Sequence, residues 1–368
     1  MTHIGATKLV KLFLVRLSLN KVNNFKRYAI TFIIVIPLLV SSIIIINYII
    51  DPYQQYRQAT FYTFDTKKRR YLNAGLIKNY SYNSLIIGSS MMANFDANKV
   101  EKKLNFSKSL KPLTFGGFIS EEVDTIKTAM EYTSIKNIFM GLDFYAFSGF
   151  NIPSEKNKRF PLYLYDDDLY NDVEYLFNFS VLKESSKLLS KKYDKKKIED
   201  QLDKLYDWQN DYNLFFTGEE LLNDYKIKLS SNIKLRNFYN FEVMKNNFEQ
   251  YLLPVIKENT TVNFVFFFPP YSILEYKLMD KEKYLLDTLK FKNYIALQFK
   301  NYNNIKLYDF QVANEITSNF RNYKDTTHYH KRINNWMLEQ INQGNYLYES
   351  NVVSDDSFID KIRLFNVQ

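Results

Sequence analysis

The chain has 368 residues, no cysteine, and 49 Lys+Arg against 40 Asp+Glu, a formal net charge of +9. That length fits about two domains, or one large α/β domain with insertions. The missing cysteines exclude disulfide frameworks, thiolate zinc sites, iron–sulfur clusters and cysteine nucleophiles. A hydrophobic fraction of 46% excludes general disorder.

The charge is uneven. Residues 1–27 hold Lys8, Lys11, Arg16, Lys21, Lys26 and Arg27 and no acid, which leaves 43 bases against 40 acids in the rest. Aromatics are abundant, with 31 Phe and 30 Tyr but only two Trp. A basic, aromatic-rich chain is the composition of a nucleic-acid binder. A near-neutral body carries no such electrostatic footprint, so no nucleic-acid partner is expected. The Lys, Asn, Ile, Phe and Tyr load matches A/T-rich codons instead.

Tyr28 to Ile50 is a run of 23 residues without a charge. About 20 such residues cross a bilayer as a helix. Pro37 inside the run is tolerated in a membrane helix. The run is longer than the apolar region of a cleavable leader and lacks a small-residue cleavage site. It predicts an uncleaved anchor in a lipid bilayer. The basic arm then places the N-terminus in the cytoplasm and the body outside. The Lys67–Arg70 cluster reads as a solvated helix face.

The body alternates strands and helices. Ser84-Leu85-Ile86-Ile87-Gly88 reads as a buried strand and Asp96 to Leu104 as a helix. Pro112 to Phe115 is a weaker strand candidate. Ser120 reads as the N-cap of a helix running to about Tyr132, with Glu121, Glu122 and Asp124 in its first turn. Asn137 to Leu142 is a further strand. A helical pattern from Phe238 to Leu253 ends at Pro254, and Val262 to Phe268 forms a strand closed by Pro269-Pro270. Lys281 to Tyr302 reads as one helix, Ile305 to Tyr308 as the fifth strand, and Arg332 to Gln343 as the last helix. Nearly unbroken apolar strands separated by helices predict a three-layer α/β fold with about five parallel strands. The expected organisation is a basic arm (1–27), an anchor (28–50), a connector (51–79), an α/β domain (80–345) and a tail (346–368). A helical, charged insertion at 150–235 interrupts the α/β domain. It contains Asp166-Asp167-Asp168, read as a helix N-terminus, and a Lys-rich stretch at 191–197.

Chemistry-bearing residues fall after the strands, where a parallel sheet places its sites. Gly88-Ser89-Ser90 follows the first strand; a serine on such a turn is exposed beside backbone N–H groups. Gly116-Gly117 follows the second and permits close backbone approach. Gly141-Leu142-Asp143 follows the third. Pro269-Pro270-Tyr271 follows the fourth and is placed to shape a pocket. Asp325-Thr326-Thr327-His328 precedes the last helix. A serine nucleophile needs a base, and the base an orienting group. Of three histidines, His3 lies in the basic arm, so the base falls among His328 and His330. His328-Tyr329-His330 beside Asp325 is at most half a metal site, and no metal or cofactor is called for.

In this order the motifs resemble the GDSL/SGNH hydrolase superfamily over residues 80–345, the insertion excepted. The resemblance implies Ser90 as nucleophile, His328 as base and Asp325 as its orienting group. It assigns Gly116 or Gly117 to the oxyanion hole; Ser89 and Asp143, at its first- and third-block positions, and Tyr271, by its place after the fourth strand, are the further candidates for oxyanion or substrate contact. Two departures stand out: Ser89 replaces an Asp, and Asp143 lies where the family carries an oxyanion-donating Asn motif. With the anchor, the chain is most similar to branches that acylate teichoic acids or exported polysaccharides. The implied function is a membrane-anchored, extracytoplasmic O-acyltransferase or esterase. Its partners would be an acyl donor, a glycan acceptor and a multi-span membrane acyltransferase. The missing Asn leaves a second reading, an inactive scaffold or glycan-binding relative.

Overall fold

A computed structural model describes residues 4–64, 66–189, 198, 202–211, 216–231, 235–348 and 355–366. The chain forms two compact units. One comprises Met1–Pro52 with Asp168–Lys191, the other Tyr53–Asp167 with Lys192–Gln368.

The first unit is built on one helix, Ile4–Ile50, which runs through Pro37. Its 27-residue stretch Asn24–Ile50, whose most apolar 18 residues have a mean hydropathy of 2.9, is long and apolar enough to span a membrane. Near its C-terminal end a polar residue is fully buried. The Asn47 side-chain amide donates to the carbonyls of Leu176 (2.8 Å) and Asn178 (3.2 Å), and its oxygen accepts from Ser185 Oγ (3.1 Å). Tyr175 donates to Asp51 Oδ1 at 2.9 Å. These bonds hold the Phe179–Leu188 helix against the end of the long one.

The second unit holds a five-stranded parallel sheet: β1 Ser84–Ile87, β2 Ser109–Leu110, β3 Asn137–Gly141, β4 Asn263–Phe268 and β5 Ile305–Asp309. Their order is β2-β1-β3-β4-β5, and every pairing is parallel. Right-handed crossovers then place Ala97–Leu104 and Ile119–Tyr132 on opposite faces. Ala97–Leu104 packs against Lys331–Gln343 on one side; Ile119–Tyr132 packs against Arg69–Asn79 on the other. The strands are apolar because both faces are covered. Phe95, Phe139 and Phe267 meet at ring separations of 5.0–5.7 Å. Each ring so buried contributes roughly 1.5–3 kcal/mol.

Several local expectations need correction. The second strand lies at Ser109–Leu110, and Pro112–Phe115 forms the loop after it. Pro112 has no N–H to donate to a ladder. The Ile119–Tyr132 helix starts one residue before Ser120, so Phe118 is the cap; Ser120 Oγ donates to Asn151 Oδ1 (2.9 Å). Pro254 does not end its helix. A π turn over Phe248–Leu252 precedes it, with the Leu253 N–H bonding the Phe248 carbonyl, and the helix continues to Glu258. The wide turn absorbs the missing proline donor and the clash of its ring. The helix expected over 281–302 runs only over Leu285–Phe299; an unexpected helix, Ile273–Lys281, precedes it and ends just before Lys283, whose φ is +62°.

The Asp166–Asp168 run is a bend, and Asp172 caps the next helical turn. Arg69 and Arg70 turn inward. The Arg69 guanidinium lies 3.8 Å from the Phe115 ring centroid, and Arg70 pairs with the buried Glu121 carboxylate at 2.8 Å. A further helix, Asp355–Leu364, occupies part of the expected tail. The Lys-rich stretch at 191–197 lies outside the described residues.

Candidate active site

The strand order reverses direction between β1 and β3, which opens a crevice at their carboxyl ends. Each strand sends a residue to this rim. Ser90 follows β1, Gly116 follows β2, Asp143 follows β3, Tyr271 follows β4 and His328 follows β5. All five line one cavity of about 500 Å³.

The turn after β1 gives the two serines different partners. Gly88 has φ +135°, a conformation that suits glycine, and a Cβ there would lie 2.7 Å from Met92 Cγ. The chain then enters a 3₁₀ turn at Ser90–Met92. Ser89 is buried, donates to Asp143 Oδ2 at 2.9 Å and accepts from the Met91 N–H at 3.3 Å. Ser90 is half-buried, and its Oγ lies 2.8 Å from His328 Nε2.

Asp325 organises the turn that carries His328. Its Oδ1 accepts the backbone N–H of Thr327 (3.0 Å) and of His328 (2.7 Å), an Asx turn. The same carboxylate reaches His328 Nδ1 at 2.9 Å through Oδ2. Burial would raise this carboxyl, but the His328 ring and the two amides outweigh it and hold Asp325 well below the usual carboxylate range. The turn is clasped at its base by Lys324 N–H to the His328 carbonyl (3.1 Å) and His330 N–H to the Asn322 carbonyl (2.7 Å). His330 takes no part in the pair. Its Nδ1 accepts the Arg332 N–H at 3.0 Å and its ring meets Phe216 edge-on.

Two residues that line the cavity carry backbone amides unpaired among the described residues. Among the described residues, no acceptor takes the N–H of Ser90, which opens its helical turn, or of Gly116. Gly116 has φ +56° and lines the cavity, whereas the Gly117 N–H is spent on the Thr114 carbonyl at 2.8 Å. Asp143 is an acceptor. Besides Ser89 it takes the Tyr271 hydroxyl, and its Oδ1 caps Tyr145 N–H at 3.2 Å. Burial, then the Asp143 charge, raises the Tyr271 hydroxyl well above its ordinary value, so it remains a donor. Beyond Asp143, Glu122 is buried, and neither carboxyl oxygen has a hydrogen-bond partner among the described residues. Burial, then the Asp143 and Glu121 charges, push it well above the usual range.

No protein-family model matches the chain, and no curated protein matches it.

Other contributors were not singled out from the sequence. Trp208 donates through Nε1 to the Ser90 carbonyl at 3.3 Å and lies edge-on to the His328 ring at 6.1 Å. Its rarity, one of two tryptophans, was the available signal. Lys228 on the Glu219–Ser230 helix pairs with Asp224 (3.0 Å) and Glu275 (3.5 Å) and donates to Thr326 Oγ1. Burial alone would lower this ammonium; Glu275 and Asp224 outweigh it and raise it. This cluster ties the Glu219–Ser230 helix to the loop that holds His328. Except for the helical pair, its members lie 47 to 102 residues apart, so no local motif announces it.

Proposed function

We propose that the chain is a serine O-acyltransferase or esterase, anchored in a membrane by its N-terminal helix and working outside the cytoplasm. The observation that carries this reading is the continuous path from Ser90 Oγ to His328 Nε2 (2.8 Å) and from His328 Nδ1 to Asp325 (2.9 Å). Ser90 attacks an ester carbonyl while His328 takes its proton. The Ser90–carbonyl bond forms, the ester C–O bond breaks, and His328 returns the proton to the leaving alcohol. The acyl-enzyme is then resolved by water or by an acceptor hydroxyl, with His328 again moving the proton. Asp325 stays ionised and holds the imidazole tautomer. The Ser90 and Gly116 amides supply the oxyanion donors.

The order of these parts around the rim supports the resemblance to the SGNH superfamily, and with it envelope or exported polysaccharide as the acceptor. No amide donor stands where the family carries its Asn motif, so on this reading the oxyanion relies on the Ser90 and Gly116 N–H groups. A fluorophosphonate probe on the full chain tests the enzyme: labelling is lost in Ser90→Ala and kept in Ser89→Ala. A second reading, an inactive scaffold or glycan-binding relative, draws on Asp143 standing where an amide donor is expected. Absence of labelling, together with function that survives His328→Ala, establishes that reading and overturns the first.

A further inference from the structure

We propose that the cavity beside Ser90 is an acyl pocket for an aliphatic chain longer than acetyl; this rests on the acyl-enzyme reading above. The cavity is far larger than a two-carbon group needs, at about 500 Å³. Its volume lies within the roughly 300–1,000 Å³ range of small-molecule sites, which are mostly apolar with few placed polar groups.

The reactive pair forms one part of the lining, and the remainder is largely hydrocarbon. Met91, Phe144, Ile227, Leu235, Leu278 and Met279 supply aliphatic, aromatic and thioether surface. Tyr239 and Tyr284 add ring faces, stacked on each other at 4.8 Å. Several polar side chains in the wall are already engaged. Tyr271 and Ser89 both donate to Asp143, and Lys228 and Glu275 pair with each other. They leave little hydrogen-bonding capacity for a sugar ring in this space. An alkyl chain gains by covering the wall, in proportion to the area taken from water. The methionines adapt to its conformations. An acetyl group would leave most of the wall facing water. With the carbonyl of a bound ester at Ser90, the proposed seat of the acyl chain is the cavity, and the alcohol or glycan side is left outside it.

The test uses the full chain in detergent with p-nitrophenyl acetate and p-nitrophenyl octanoate. The wild type is expected to favour octanoate in kcat/KM by at least about tenfold, the discrimination that an apolar pocket gives for chain length. Leu278→Trp fills the cavity and lowers the octanoate-to-acetate ratio by a similar factor. Leu278→Ala enlarges it and moves the preference to longer esters. Fluorophosphonate labelling of Ser90 in each variant reports that the site is folded. A wild type that labels at Ser90 but hydrolyses acetate as well as octanoate overturns the pocket and leaves the acyl-enzyme intact. Chain-length ratios equal in all three proteins do the same. No labelling and no Ser90-dependent turnover overturns both.

Discussion

Lys111 offers the sharpest quantitative test of the fold that supports Ser90. It follows β2, is fully buried, and donates to the carbonyls of Ala93 (2.8 Å) and Phe95 (2.7 Å), just beyond the Ser90 turn. Burial, opposed mainly by the Asp207 and Asp96 charges, lowers its pKa from 10.5 to about 7. A buried amine whose pKa falls costs stability while it is charged. Above about pH 7 the folded chain sheds this proton and the unfolded chain keeps it until about pH 10.4, so stability rises with pH. One proton of difference is worth about 1.4 kcal/mol per pH unit once the folded group is fully deprotonated. Integrated from pH 7 to 9, with half of the groups already titrated at pH 7, the gain is about 2 kcal/mol. Lys111→Met removes the titration. Urea unfolding of both proteins in the same detergent, at pH 7 and pH 9, gives the two stabilities. The wild type should gain about 2 kcal/mol on the variant over that interval. Stability curves that run parallel refute the reasoning, because they place the folded amine at its ordinary pKa.

Glu122 has the opposite sign. Its raised carboxyl costs stability as pH rises through its unfolded value near 4.3, so Glu122→Gln should be more stable than wild type at pH 7, with the advantage gone at pH 3; urea unfolding at the two pH values measures it. Asp325→Asn should lower kcat by about 10⁴-fold, the scale expected when the imidazole loses its orienting carboxylate. Because Asp325 is held below the usual range, its contribution to stability is full above about pH 4 and fades as pH falls through its folded value. The stability deficit of the Asn variant should therefore shrink as pH falls below about 4. Gly75→Ala places a Cβ 2.1 Å from the Tyr53 carbonyl oxygen and 2.4 Å from that of Gln54, backbone atoms that cannot step aside. A loss of about 3 kcal/mol or more is expected in thermal or urea unfolding. The chain has no native cysteine, so single-cysteine labelling reads the topology cleanly. Ser81→Cys should react with an impermeant maleimide on intact cells, and Thr2→Cys only after permeabilisation.

The sequence by itself determined the long apolar helix, four of the five strands and the class of fold. Each is written in contiguous residues: an uncharged run the length of a bilayer, or a short apolar run, closed by Gly or Pro in β1, β3 and β4. It also carried the Asp325–His328 pair, since an Asx turn folds on local bonds alone. Periodicity failed where a backbone detail overrode it. The π turn carries the chain past Pro254, and the turn at Lys283 delays to Leu285 a helix that the pattern starts at Lys281. The resemblance favoured Ser90 over Ser89, but only the tertiary structure shows what separates them. Both occupy the same turn, but Asp143 from the next strand takes one hydroxyl and His328, 238 residues on, meets the other. It alone selected Gly116 over Gly117, through a hydrogen bond that consumes one amide. Trp208 and the Lys228 cluster were invisible for the same reason. Their meaning lies in partners distant in the chain, and those distances close only when the strands stack in the order β2-β1-β3-β4-β5.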